Sequence, residues 1–251
     1  MKKTISFLIL LILIPTLCFA GALQEKQRQV IAKKNVAAGG AKTIAHVARD
    51  AYGSNTEASS TLATGAAKAA ATGNTIVVFV YSNIGGYQHA PISITGITDT
   101  ASNTYTKITT GNNSEGYNEQ VEMWYATNIT GNASNIVTAT FSESVSNSTI
   151  QTMEFSGLGT ASVDTYNHSV GTNAPSSCSI TTTEAVTLAF SGLRNTQQAS
   201  NGSAGSGYTM TSEVVYPQIF EYKINSTSGT YSGDFTGFTN GTWLSIQAAL
   251  K

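Results

Sequence analysis

The chain has 251 residues, 41% of them hydrophobic and only 11% charged, with a formal net charge of −1. From Thr43 onward six basic residues stand against thirteen acidic ones, a net of −7, which excludes a nucleic-acid surface because phosphate neutralisation needs clustered Lys and Arg. Its two cysteines are Cys18 and Cys178. With Cys18 in the leader, one thiol is left, which excludes an intrachain disulfide and a cysteine-type zinc site.

Residues 1–22 have the pattern of a secretory signal. Lys2 and Lys3 give a positive start, Phe7 to Ile14 is an unbroken apolar run, and Ala20-Gly21-Ala22 offers a small-x-small cleavage site. The run is too short to span a membrane, so no transmembrane segment is expected after cleavage. A lipoprotein anchor at Cys18 would need a small residue where Leu17 stands. Residues 23–42 form a basic tether or short helix with a thin stripe of Leu23, Val30 and Ile31, ended by Gly39-Gly40; a lone helix of that length is marginal in water.

From Thr43 to Lys251 the pattern is strand, turn, strand. Low charge with abundant Ser, Thr, Asn and Gly suits a secreted β-protein: Thr packs on pleated surfaces, and Asn and Gly build turns. Thr75 to Tyr81 is apolar on both sides, as a strand covered on both faces requires. Residues 119–143 read as a β-hairpin. In its first arm Val121, Met123 and Tyr125 alternate with Gln120, Glu122 and Trp124; in its second, Val137, Ala139 and Phe141 alternate with polar residues. In the last strand Leu244, Ile246, Ala248 and Leu250 point one way, and Trp243, Ser245, Gln247 and Ala249 the other. Many short strands with evenly spaced turns predict an all-β fold: a two-sheet antiparallel β-sandwich, jelly-roll-like, with two tandem immunoglobulin-like sandwiches split near Thr160 as the alternative. No fixed-period repeat is visible, although IVVFVYS, VTLAFSG and WLSIQAAL have similar character.

Several phrases occur together: Thr98-Asp-Thr-Ala-Ser-Asn-Thr-Tyr, Met123-Trp-Tyr-Ala-Thr-Asn-Ile-Thr, Met153-Glu-Phe-Ser-Gly-Leu, and Gly229-Thr-Tyr-Ser before a Trp strand. In these the chain resembles a loose group of secreted bacterial β-sandwich modules, lectin-like in outline, found alone or in extracellular surface proteins. The resemblance spans most of residues 43–251. It implies a fold and an exported setting, and it carries over no catalytic residues.

Candidate chemistry is sparse. A glycoside hydrolase needs two carboxylates across a cleft, whereas Glu119 and Glu122 fall on opposite sides of a strand and Glu154 has no partner at a diagnostic spacing. Gly202-Ser-Ala-Gly-Ser-Gly lacks the strand-then-helix setting of a serine nucleophile, and His46, His89 and His168 make no metal pair. Asp99 and Asn103, with the carbonyls between them, could ligate calcium; an Asx-turn at a corner explains the same residues without metal. Carbohydrate binding is the sharper expectation. Trp124 and Trp243 are the stacking platforms, with Glu122 and Gln247 as hydroxyl partners and Tyr87, Tyr117 and Tyr231 in or near loops. It requires both indoles to turn away from packed interior. The sequence therefore predicts an exported, non-catalytic module, secreted, periplasmic or at the cell surface, that binds extracellular glycan. The rival readings are a structural or adhesive surface protein, whose partners are surface proteins, and a glycoside hydrolase.

Overall fold

The computed structural model describes residues 42–83, 92–113, 119–173, 178–196, 202–212, 218–238 and 240–251, and there every regular element is a strand. The leader and most of the tether lie outside these residues. Among the described residues no helix is long and apolar enough to cross a membrane.

Strands are numbered in chain order, and all pairing is antiparallel. The first main sheet runs β1 (Ala45–His46), β11 (Asn147–Ser156), β5 (Thr75–Asn83), β8 (Glu119–Ala126), β7 (Thr106–Asn113), with β2 (Ala51–Asn55) also paired to β11. A smaller sheet, β3 (Ser59–Ala63), β10 (Val137–Val145) and β6 (Ile94–Asp99), accompanies it, with a ribbon of β4 (Lys68–Ala70) and β9 (Asn132–Asn135). The second main sheet runs β12 (Val163–Gly171), β18 (Trp243–Leu250), β14 (Thr187–Asn195), β16 (Gln218–Asn225), β15 (Thr209–Met210), accompanied by a ribbon of β13 (Ser179–Thr182) and β17 (Gly229–Ser232).

The two main sheets have the same strand order. In chain order, β1, β5, β7, β8 and β11 hold the places in the first that β12, β14, β15, β16 and β18 hold in the second. The accessory pair β3–β10 is matched by β13–β17, and the β6–β10 pairing by a bridge between Ser203 and Thr236. The chain thus passes twice through one topology, joined by residues 157–162. The all-β antiparallel sandwich expected from the sequence is what forms, and the repeat lies inside one compact unit spanning Thr43–Lys251.

Pleat parity explains the layering. On β5, Val77, Phe79 and Tyr81 face the second main sheet and share a core with Phe190, Phe220, Leu244, Ile246 and Leu250. Ile76, Val78 and Val80 face the other way, into a core with Val137, Ala139 and Phe141 of β10. Both sides of β5 are therefore covered, as its apolar run requires. Each fully buried large apolar side chain contributes about 1.5–3 kcal/mol relative to exposure, so neither face of a main sheet is left open. The second main sheet repeats the logic: Ala189, Leu193, Ile219, Trp243 and Ala249 on its far side are buried beneath Ile180, Tyr208 and Phe235.

One expectation is corrected here. Residues 119–143 are not a hairpin: β8 pairs with β5 and β7, while β10 pairs with β3 and β6. The arms lie in different sheets and meet through side chains, Trp124 and Ala126 packing with Val137, Ala139 and Phe141. Alternation reports which side of a strand is apolar; two apolar sides meet equally well across an arch as within a ladder.

Between the two main sheets, Phe79 lies directly over Gly192. A Cβ built on Gly192 would stand 2.4 Å from two carbons of the Phe79 ring. Overpacking of a filled core costs about 1–3 kcal/mol. Gly192→Ala is expected to lose stability on that scale in chemical denaturation, whereas Gly96→Ala, with nothing within 4 Å of the added Cβ, is expected to match the parent.

Candidate functional site

Trp124 and Glu122 come together, but inside the protein. Both project from the side of β8 opposite Val121 and Met123, as the alternation predicts, and that side is roofed by the β3–β10–β6 sheet. Trp124 is 8% exposed and Glu122 0%. The indole Nε1 donates to Glu122 Oε2 at 2.7 Å, and Gln120 Nε2 donates to Oε1 at 2.6 Å. Lys107 Nζ stands 3.4 Å from Oε1 and 5.4 Å from the centre of the indole ring. Burial raises the Glu122 pKa, partly offset by Lys107 and the indole hydrogen bond. The carboxylate is committed to its neighbours, and the ring to the core.

Trp243 and Gln247 share a face of β18, again as parity predicts, and are likewise covered: Trp243 is 4% exposed and Gln247 0%. The indole fits because its cross-strand neighbour is Gly171; a Cβ there would fall 2.5 Å from the ring. Gln247 Nε2 donates to the Tyr208 hydroxyl. The expected open, shared face does not form. The indoles lie on the far sides of opposite main sheets, with the central core between them. Stacking of sugar on Trp124 or Trp243, with Glu122 and Gln247 as hydroxyl partners, is corrected by this burial. Of the supporting aromatics, Tyr87 and Tyr117 fall outside the described residues, and the Tyr231 hydroxyl is bonded to the Thr227 carbonyl at 2.5 Å.

Asp99 and Asn103 form a closed corner. Asp99 Oδ1 accepts the N–H groups of Ala101 and Asn103 at 3.1 and 2.9 Å; Oδ2 accepts Asn103 Nδ2, the Tyr105 hydroxyl and Asn135 Nδ2 at 2.8, 3.0 and 3.1 Å. Desolvation works to raise this carboxyl's pKa, and the hydrogen bonds, led by Asn103, outweigh it and hold it below the ordinary value. Ser102, between them, has φ 59°. A calcium ion would have to displace five donors, so the calcium expectation does not fit this geometry. Among the described residues no group of three or more His, Cys, Asp or Glu is placed to hold a metal. Cys178 is buried, and desolvation pushes its thiol up to about 12, away from nucleophilic thiolate chemistry.

Three arrangements escaped the sequence. Arg194 of β14 pairs with Glu119 of β8 at 2.9 Å, and Tyr81 of β5 donates to the same carboxylate oxygen at 2.9 Å, with the guanidinium 4.8 Å from the Tyr81 ring centre. At another seam between the main sheets, Asp50 accepts from His46 Nε2 at 2.7 Å and from the N–H and hydroxyl of Ser212 at 2.7 and 3.0 Å. Third, Gln247, Ser191 and Glu221 form a cross-strand row on the far side of the second main sheet. Glu221 Oε2 accepts the Gly205 N–H at 2.8 Å, while Glu221 Oε1, Gln247 Oε1 and Ser245 Oγ have no hydrogen-bond partner. Desolvation pushes the Glu221 carboxyl up to about 8. Each joins residues some 70–160 apart or buries a carboxylate that alternation marks as solvent-facing, so no local signal announces it.

Among the described residues the exposed large apolar side chains are Tyr166, Val170 and Ile224, and the first two lie on one flank. Tyr166 is 55% exposed and Val170 46%, with His168 exposed between them. By register with Ala248, Ile246 and Leu244 they belong to the face of β12 that lines the central core, but β12 ends its sheet and the row emerges at the side. Comparison with family models, curated proteins and solved structures gives no match to this chain.

Trp124→Phe removes a donor from a buried carboxylate and is expected to cost about 1–3 kcal/mol in chemical denaturation, with no change in fold by circular dichroism. Glu221 gives a pH test. Its folded pKa of about 8 exceeds the ordinary 4.5, so its contribution is complete below about pH 4.5 and is lost as pH rises toward 8. Glu221→Gln is expected to flatten that decline in thermal melts. Asp50 has the opposite sign: with its pKa held below 3.8 against desolvation, chiefly by His46, its contribution is lost as pH falls below that range.

Proposed function

We propose that this chain is an exported, non-catalytic contact module with a structural or adhesive role outside the cell. Export rests on Lys2, Lys3, the apolar run to Ile14 and the Ala20-Gly21-Ala22 site. The observation that carries the contact role is the exposed Tyr166–His168–Val170 row on an edge strand. A side-by-side aromatic and aliphatic row suits a protein surface, and an edge strand is where sheets meet partners unless they are guarded. Glycan binding is less well supported there. Asn167, next to Tyr166 in the chain, points to the opposite face, where its Nδ2 donates to the Ser179 carbonyl at 3.0 Å and its Oδ1 accepts the His168 N–H at 2.9 Å, so it offers no amide to a sugar stacked on the ring. Glycoside hydrolysis has weaker support still: Glu122 is tied to Trp124, Gln120 and Lys107, and Glu154 to the Ala71 N–H and Asn74 amide.

The test is light scattering of the full chain across a concentration series, with Tyr166→Ser/Val170→Ser beside it. Assembly of the wild type that the double variant abolishes supports the reading. A wild type that remains monomeric and retains a defined glycan on an array returns the chain to carbohydrate binding.

A further inference from the structure

A small cleft opens at the side of the first half of the chain, between its main sheet and the β3–β10–β6 layer. Its lining includes Arg49, Lys68, Ile76, Asn135, Thr152 and Glu154, and its volume is about 20 Å³. That is room for one or two water-sized groups, enough for a carboxylate and too little for a sugar ring.

The polar groups of this lining are unequally engaged. Asn135 accepts from the Thr100 hydroxyl and donates to Asp99. Glu154 Oε1 accepts the Ala71 N–H at 3.0 Å and the Asn74 amide at 2.5 Å, pinning the turn before β5. The Arg49 guanidinium stands 3.6 Å from that oxygen, an ion-pair separation longer than a hydrogen bond, and its side chain is only 35% exposed. A guanidinium presents five N–H donors in a planar fork suited to a carboxylate. Arg49 brings a guanidinium to a lining whose one carboxylate, Glu154, already accepts two other donors, in a folded part that is otherwise acidic. Ile76 and the neighbouring alanines give it an apolar wall.

We propose that this cleft binds the carboxylate of a small organic acid, gripped by the Arg49 guanidinium, with the acid's remaining atoms outside. The acidic charge of the folded part repels a polyanion, which favours a single free acid over a uronate within an acidic polysaccharide. The proposal stands apart from the contact role of the β12 flank and involves none of its residues.

The experiment is a titration of the isotopically labelled full chain with sodium acetate at constant ionic strength, followed by amide NMR. Sodium chloride, galactose and an oligogalacturonate form parallel arms. The expected result is a saturable shift of the Ala51 and Thr152 amides with acetate, weakened at least tenfold in Arg49→Gln and partly retained in Arg49→Lys. Both variants alter a partly exposed side chain, and their unperturbed spectra away from the cleft report that they fold. Absence of saturable shifts, equal shifts with chloride, or unchanged binding in Arg49→Gln overturns the proposal. Binding of oligogalacturonate without binding of acetate overturns the small-acid assignment in favour of an acidic polysaccharide.

Discussion

Everything in this protein depends on two large sheets burying one apolar face against each other. Phe79 set over Gly192, with Phe190, Phe220, Met123 and Leu244 around it, leaves no slack in that layer. The layer joins the first pass of the chain to the second. The buried Arg194–Glu119 pair, with Tyr81 on the same carboxylate, crosses the same interface at one end. A desolvated ion pair is weak evidence for net stability, but separating its partners is costly, so it disfavours any sliding of one sheet over the other.

The second constraint follows from the first. β5 is apolar on its far side as well, and so is much of the far side of the second main sheet, so each needs a cover of its own. The result is a stack in which the outer faces of the main sheets are interior. Of the residues that alternation assigns to an outer face, Trp124 ends beneath the accessory sheet and Trp243 against Phe235 and Phe238, which follow the ribbon. Their burial follows from layer count rather than from any failure of parity.

The two passes use matching positions differently. Glu122 on β8 and Glu221 on β16 hold corresponding places, each on the far side of its sheet, cross-strand from Val80 and Ser191 respectively. Glu122 is closed off by an indole, an amide and a lysine. Glu221 has one backbone donor and an unpartnered oxygen, and the fold holds it largely as the neutral acid. The first pass holds its buried carboxylate with charge and hydrogen bonds; the second leaves one oxygen unpartnered, and burial favours the neutral acid. Those carboxylates and both indoles are turned inward and buried.

The sequence by itself determined the all-β character of the chain and, in its longer strands, which side is apolar. Thr75 to Tyr81 lies within a strand covered on both faces, as its apolar run requires, and the alternation in residues 119–126 and 243–250 matches the core assignments. These are local properties, fixed by period two and by β-branched and aromatic content. Only the tertiary structure decided what covers each face, which strands pair, and that the chain repeats its topology. The short strands β2, β4 and β9 went unread because each is ordered by a distant partner more than by its own residues. Residues 119–143 became an arch because the ladder partners of β8 and β10 lie elsewhere in the chain. Pleat alternation tells a side chain which way to turn, and only packing decides whether water or another sheet is waiting there.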